Sequence, residues 1–412
     1  MISDINKKRV DIGNMDSIKQ IYKIGHGPSS SHTMGPRKAT SIFKNRYSGV
    51  SEFRVTLYGS LAATGKGHLT DVAIIDAMHP MSVEIVWKPD ITLDFHPNGI
   101  KFEALKGSEV VGDWTVFSVG GGDLAADDLK KEVRSIYEMK TMNDILVWCS
   151  KYGKTFWEYV QEREDSDISD YLDEVLQVMF DAVERGIDEE GVLAGGLYLQ
   201  RKASSYYTKA RSSTGSLKSR ALIYSYALAV SEENASGGKI VTAPTCGSCG
   251  VLPAVLFHLE TNHAFSRKKL IRSLATAGLV GNIVKTNASI SGAEVGCQGE
   301  IGVACSMAAA ASTQIFGGSI MQIEYAAEMG LEHHLGLTCD PICGLVQIPC
   351  IERNAFAAVR ALDSCSFANL SDGRHLIKFD KVVLAMKKTG HDLPSLYKET
   401  SRGGLALDLD WE

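Results

Sequence analysis

Tyr171-Leu172-Asp173-Glu174-Val175-Leu176-Gln177-Val178-Met179-Phe180-Asp181-Ala182-Val183-Glu184-Arg185-Gly186 decides how this chain is divided. Leu172, Val175, Leu176, Met179 and Val183 recur at the spacing of one helical face, and such a stripe must be buried against neighbouring helices. Gly186 supplies a stop. Toward the C-terminus the same pattern returns in Leu222, Tyr226 and Val230, and Ala304 to Ala311 reads as a helix of small residues packed closely among others. From about Met142 onward the chain therefore reads as helical.

Upstream the period is two. Phe53, Val55 and Leu57 alternate in one strand, Val83, Ile85 and Trp87 in another, and Trp114, Val116 and Ser118 in a third that ends at Gly120-Gly121-Gly122. Leu93 and Phe95, then Ile100 and Phe102, flank Asn98-Gly99, which predicts a hairpin because both turn residues tolerate positive φ. Helical signals separate some of these strands. The expected fold is an α+β N-terminal domain, a mixed sheet with helices, followed by a mainly α-helical C-terminal domain. The expected divisions are residues 1–140, a helical linker over 141–167 and a second domain over 168–412, with the charged run Gln161 to Asp167 as the best linker signal.

The 412 residues exceed the usual single-domain range, and 44% hydrophobic with 22% charged residues is the balance of a soluble globular enzyme. A net charge of −6 gives no basis for a nucleic-acid or membrane-surface partner. The opening Met1-Ile2-Ser3-Asp4-Ile5-Asn6-Lys7-Lys8 is polar, unlike a signal peptide, and Ile301 to Phe316 is too short and too rich in Ala and Ser to span a bilayer. Nine cysteines without a secretory signal fit a reducing cytoplasm better than a disulfide framework.

Some segments carry chemistry. Gly27-Pro28-Ser29-Ser30-Ser31-His32-Thr33-Met34-Gly35-Pro36 sets a row of hydroxyls and one imidazole between helix breakers. It suits carboxylate binding or a base, although on the residues alone a Ser-rich helix N-cap is the default reading. Gly65-Lys66-Gly67-His68 follows a predicted strand, but its spacing matches neither phosphate-loop fingerprint. Cys246-Gly247-Ser248-Cys249 has the spacing of a redox pair or half a zinc site, and no second pair completes the zinc site. Cys149, Cys305 and Cys365 sit in helical or apolar contexts and read as small buried hydrophobes. Cys339, Cys343 and Cys350 lie in loops beside Pro341 and Pro349, free of helical packing as cluster ligands must be.

Together these segments resemble the iron–sulfur-dependent L-serine dehydratases (L-serine ammonia-lyases) of bacteria, with the family's β and α domains fused in one chain. The N-terminal part carries the likeness through Gly27 to Thr33 and Gly65 to His68. The C-terminal part carries it through Ala243-Pro244-Thr245, Lys285-Thr286-Asn287-Ala288-Ser289-Ile290-Ser291-Gly292-Ala293, Cys339-Asp340-Pro341 and Cys350-Ile351-Glu352-Arg353-Asn354.

The resemblance implies conversion of L-serine to pyruvate and ammonia in the cytoplasm, within amino-acid breakdown and gluconeogenesis. It implies a [4Fe–4S] cluster on Cys297, Cys339 and Cys350, with one iron lacking a protein ligand. It further implies His68 and His32 as catalytic groups, with Ser29, Ser30, Ser31, Thr33, Lys285, Asn287 and Ser289 around the substrate, and a homodimer. Cys343 stands where the family usually has Gly, and an inert thiol is the expected reading there. Two rivals remain at this stage: a pyridoxal-phosphate lyase using Lys66 or Lys285, and a cysteine-rich redox or zinc protein without lyase activity.

Overall fold

The computed structural model describes residues 15–107, 109–129 and 136–407. The short strand β1 (Ile24–His26) leads into one π-helical turn, Ser30–Met34, and then α1 (Gly35–Arg46). A βαβ unit follows: β2 (Glu52–Tyr58), α2 (Gly59–Ala63), α3 (Thr70–Met78) and β3 (Ser82–Lys88), the two strands pairing in parallel. Next come β4 (Gly99–Lys106), β5 (Glu109–Ser118) and β6 (Leu124–Ala125), all antiparallel, so the sheet runs β3-β2-β4-β5-β6. Phe53, Val55, Leu57, Trp114 and Val116 are buried, as the alternation requires. They meet Ala39 and Phe43 of α1 and Ile74 and Met78 of α3 in a core dominated by stacked rings, with Phe43, Phe102 and Trp114 in mutual contact.

The rest is helical: α4 (Met142–Tyr152), α5 (Phe156–Gln161), α6 (Ile168–Asp188), α7 (Ala203–Ser212), α8 (Gly215–Ala235), α9 (Val251–His263), α10 (Arg267–Asn287), α11 (Gly292–Val295), α12 (Ile301–Ile315), α13 (Ile320–Glu332), α14 (Cys350–Asn369) and α15 (Phe379–Asp392). α12 is buried along nearly its whole length, and its Ala-rich face lets the surrounding helices come close. An α+β unit followed by a mainly helical one is thus what the chain adopts. Among the described residues no helix is long and apolar enough to cross a membrane.

The two units interlock. β1 pairs antiparallel with β7 (Lys239–Val241), which lies between α8 and α9. Met15, Ile18, Ile21 and Tyr22 belong to the helical core. Residues 141–167, expected as a linker, form α4 and α5 and pack into that core through Ile145, Cys149, Phe156 and Tyr159. The carboxylate of Glu164 accepts hydrogen bonds from Ser17 Oγ (2.7 Å), the Ile18 amide (2.8 Å) and Tyr137 (2.6 Å). The charged run is therefore a tied corner.

Two local expectations need correction. Asn98-Gly99 does not close a hairpin: neither residue has positive φ, no strand precedes β4 over residues 91–98, and the buried Asn98 amide donates to the Ser118 carbonyl at 3.3 Å. Gly186 does not end α6, which runs on to Asp188. It is there for space, since a Cβ at Gly186 would lie 2.3 Å from the Ala229 carbonyl oxygen of α8. Gly186→Val should force α6 and α8 apart and cost about 1–3 kcal/mol, the usual penalty of overpacking. It would be read as a lower denaturation midpoint of the metal-free protein, and an unchanged midpoint would contradict this packing.

Candidate active site

Ser29 caps the π-helical turn, its hydroxyl accepting from the His32 amide at 3.0 Å. The Ser-rich segment is therefore both an N-cap and the mount of His32. Thr70 Oγ1 holds the His32 carbonyl at 2.6 Å, and Thr33 Oγ1 donates to the His68 carbonyl at 2.7 Å. The hydroxyls of Ser29 and Thr33 are thus engaged in positioning the histidines. These bonds bring the His32 and His68 rings to 4.4 Å between centroids. The turn carrying His68 also needs Gly67, where a Cβ would fall 2.4 Å from the Gly344 carbonyl oxygen.

Both imidazoles are buried. Burial, helped by the charge that His68 would carry, holds His32 well below the usual histidine range. Burial brings His68 down to about 4. His68 Nδ1 lies 3.1 Å from the Thr64 carbonyl. A carbonyl only accepts, so Nδ1 carries the proton and Nε2 of the neutral ring keeps its lone pair. That nitrogen faces Glu399 Oε1 at 3.8 Å, and His32 Nδ1 lies 3.5 Å from the same oxygen.

Glu399 arrives from the C-terminal strap. Its amide donates to the Cys339 carbonyl (2.6 Å), the Cys339 amide donates to the Tyr397 carbonyl (2.8 Å), and Ser60 Oγ donates to the Glu399 carbonyl (2.7 Å). Burial, with the negative charge of Glu300 nearby, raises its carboxyl well above the ordinary range.

Beside this trio stand the three expected cysteines. Cys297 and Cys339 are buried and Cys350, at the start of α14, is half-buried. Burial raises all three thiols, Cys297 to about 11. Charge on Cys297 and Cys350 would press on Cys339, as would charge on Glu399 and Glu300. A Cβ at Gly292 would be 3.2 Å from Cys339 Sγ and 2.9 Å from a Glu300 carboxylate oxygen, so those groups share one wall. Arg353 is the cation of this cluster. It donates to the Thr338 carbonyl at 2.7 Å, lies 3.8 Å from Asp340, and is close enough for charge on Cys297 to favour its own charge. Cys343 is exposed, with φ of +54°.

The α10–α11 segment is tied into the protein through its polar side chains. Lys285 and Lys23 both pair with Asp123, just after the Gly120-Gly121-Gly122 turn. The Asn287 amide is spent on the carbonyls of Lys140 (2.6 Å) and Ile283 (2.8 Å). Ser289 bonds Glu294 and, with Ser60, lines a groove of about 760 Å³ between the sheet unit, α11, α15 and the strap. Lys285 and Asn287 thus direct their donors at the protein. Lys66 lies over the Trp87 ring at 5.8 Å.

Glu399, Glu300, Arg353 and His96 were not singled out from sequence. His96 is buried, accepts from the Asn98 amide at 3.0 Å and is close enough for its charge to disfavour charge on His32. Local signals for them were slight: Glu300 follows Cys297 by three residues, and Arg353 follows Cys350 by three.

Residues 17–84 match the model described as serine dehydratase beta chain, and residues 109–406 match serine dehydratase alpha chain. An L-serine dehydratase of Streptomyces coelicolor is 40% identical, with 95% of this chain and 99% of that protein covered. L-serine dehydratase 1 of Escherichia coli is 39% identical over 96% of this chain and 99% of its own length. An L-serine dehydratase of Helicobacter pylori is 37% identical over 95% and 99% respectively. The chain belongs to the serine dehydratase family.

A histidine whose folded value lies near 4 binds its proton in the unfolded state first, since the free side chain titrates near 6.5. Stability should therefore fall as pH drops from about 6.5 toward 4. In ring-resolved NMR of the metal-free protein, His68 should stay neutral from about pH 8 to about pH 6. A His68 midpoint near 6.5 would contradict its burial.

Proposed function

We propose that this member of the serine dehydratase family is an L-serine ammonia-lyase that eliminates the β-hydroxyl of L-serine and releases pyruvate and ammonia. The observation that supports the reading most is His68, its Nε2 free, 3.8 Å from Glu399, whose amide bonds the carbonyl of Cys339. The names of the relatives support the substrate.

A [4Fe–4S] cluster fits the donor set of Cys297, Cys339 and Cys350. Three thiols desolvated together with Glu300 and Glu399 make poor anions with Arg353 as the nearby cation, whereas bound metal would supply the missing positive charge. Three thiolates leave one iron of such a cluster without a protein ligand, and when bound it would supply a Lewis-acidic centre for the departing hydroxyl. Cys343 is exposed and in a left-handed conformation, and we leave it out of that set.

The protein's own part is proton transfer and orientation. His68 Nε2 takes the α-proton, and the Thr64 carbonyl keeps its tautomer correct throughout. Ser30 and Ser31 bind the substrate carboxylate, while Ser29 and Thr33 hold the two histidines in place. His32, 2.9 Å from Ser31 Oγ, links that hydroxyl to Glu399 and relays protons. Lys285 and Asn287 shape the wall through Asp123 and the Lys140 carbonyl, and Ser289 borders the approach. Loss of the α-proton and the hydroxyl leaves aminoacrylate, which tautomerises to the imine and hydrolyses. The reading also includes a cytoplasmic homodimer in serine breakdown, its pyruvate available for gluconeogenesis. The units we assign to it are residues 1–140 and 168–412 with 141–167 between.

Anaerobic loading with iron and sulfide, followed by a pyruvate assay with L-serine, tests the activity. Turnover should require the loaded iron, and turnover without iron would overturn the reading. Single alanine substitutions at Cys297, Cys339 and Cys350 should each lose iron, whereas Cys343→Ala should keep the wild-type iron content. Loss of iron in Cys343→Ala would mean a cluster closed by a fourth thiolate. His68→Ala should keep the cluster absorption and lose turnover by about 100-fold or more. Near-normal turnover would remove His68 from the role of base.

A further inference from the structure

We infer that Glu399 is the specificity residue for the substrate's α-amino group, its carboxylate receiving the ammonium of L-serine. The inference rests on the lyase reading above and deepens it.

Glu399 is 5% exposed, and its Oε2 has no hydrogen-bond partner. Among the described residues the charged-group neighbours within 4 Å are His32 and His68, at 3.5 and 3.8 Å from Oε1. The cations of the region are committed elsewhere. Arg353 goes to the Thr338 carbonyl and Asp340, Lys23 and Lys285 to Asp123, and Lys66 to the Trp87 ring. Lys398, next in sequence, lies 3.5 Å from the His391 carbonyl and lines the outer groove. The neighbouring acids have partners: half-buried Glu300 accepts from Thr245 Oγ1 at 2.7 Å, and buried Asp340 accepts from the Leu405 amide at 2.8 Å. Glu399 is thus a buried carboxyl group with an open acceptor and no fixed cation. Such a group is costly unless a ligand completes it.

The chain also spends strain to keep it there. Glu399 has φ of +58° and Ser401 φ of +55°, conformations that non-glycine residues avoid. Hydrogen bonds to Cys339 and from Ser60, with Ser401 Oγ donating to the Pro341 carbonyl, hold the strap in that shape. A side chain that served only to fill space would not need an orphaned carboxylate oxygen.

The positions agree with the chemistry. An ammonium nitrogen at about 2.8 Å from the Glu399 oxygens carries the α-carbon about 1.5 Å away. His68 Nε2 is 3.8 Å from Oε1, so the α-proton comes within its reach. Ser31 Oγ lies 2.9 Å from His32 Nδ1, the same nitrogen that stands 3.5 Å from Glu399 Oε1, so a carboxylate held at that hydroxyl stays within the length of an α-amino acid of the ammonium. L-Glycerate, which has a hydroxyl in place of the ammonium, would lack the ion pair.

The test compares L-serine with L-glycerate on the iron-loaded enzyme. In the wild type, L-glycerate should inhibit competitively but bind about 100-fold more weakly than L-serine, the value of a charge-assisted contact. Glu399→Gln, with iron and sulfide content equal to wild type, should raise KM for L-serine about 100-fold and leave the glycerate inhibition constant unchanged. Glu399→Asp, which keeps the charge on a shorter arm, should retain preference for L-serine with an intermediate KM, and it serves if the glutamine variant loses iron. An unchanged KM in Glu399→Gln would overturn the inference. So would equal weakening of serine and glycerate, or a fall in kcat alone. A wild type that makes no pyruvate from L-serine would instead defeat the lyase reading itself.

Discussion

Desolvation is the constraint on which this structure turns. Cys297, Cys339, Glu399, His32 and His68 are buried together from separated parts of the chain with Cys350 and Glu300 half-buried beside them, and desolvation shifts every one of them toward its uncharged form. Groups of this kind do not attract one another into place. They are held by hydrogen bonds to backbone carbonyls, which are indifferent to their charge: Cys339 to Tyr397, Glu399 to Cys339, Thr33 Oγ1 to His68, and Thr70 Oγ1 to His32. The fold supplies the rigid frame that keeps these uncharged forms together.

The frame is a junction rather than a pocket in one unit. The histidines come from the sheet-bearing part, the cysteines from the helical part, and the glutamate from the strap near the end of the chain. Pairing of β1 with β7 and the bonds from residues 17, 18 and 137 to Glu164 tie the first part into the helical core. The close approach of Gly67 to the Gly344 carbonyl sets the histidine turn directly against the cysteine loop. Relative motion of the two parts would therefore separate the histidines from the cysteines.

Much of this was legible in the residues. The alternation of Phe53, Val55 and Leu57 and the stripe from Leu172 to Val183 report burial on one face, a local property that sequence records directly. The histidine loops and the cysteines stood out because their residue types are unusual in their surroundings. What stayed hidden depends on partners distant in sequence. Asn98-Gly99 has the composition of a turn, yet the Asn98 side chain is drawn inward to Ser118. Gly186 looked like a stop because glycine often is one, whereas the determining fact is Ala229 on another helix. Lys285 and Asn287 lie in a segment shared with the family, but their partners Asp123 and Lys140 are far away in the chain. Glu399 carries no local signal at all; its meaning comes from the two imidazoles it faces.

The central claim is that the three cysteines hold a cluster whose remaining corner is reserved for substrate in front of His68 and Glu399. Mössbauer spectroscopy of protein loaded with iron-57 tests it most directly. Addition of L-serine should change the signal of one iron in four and leave the other three as they were. A spectrum unchanged by L-serine, with all four irons equivalent before and after, would contradict the account.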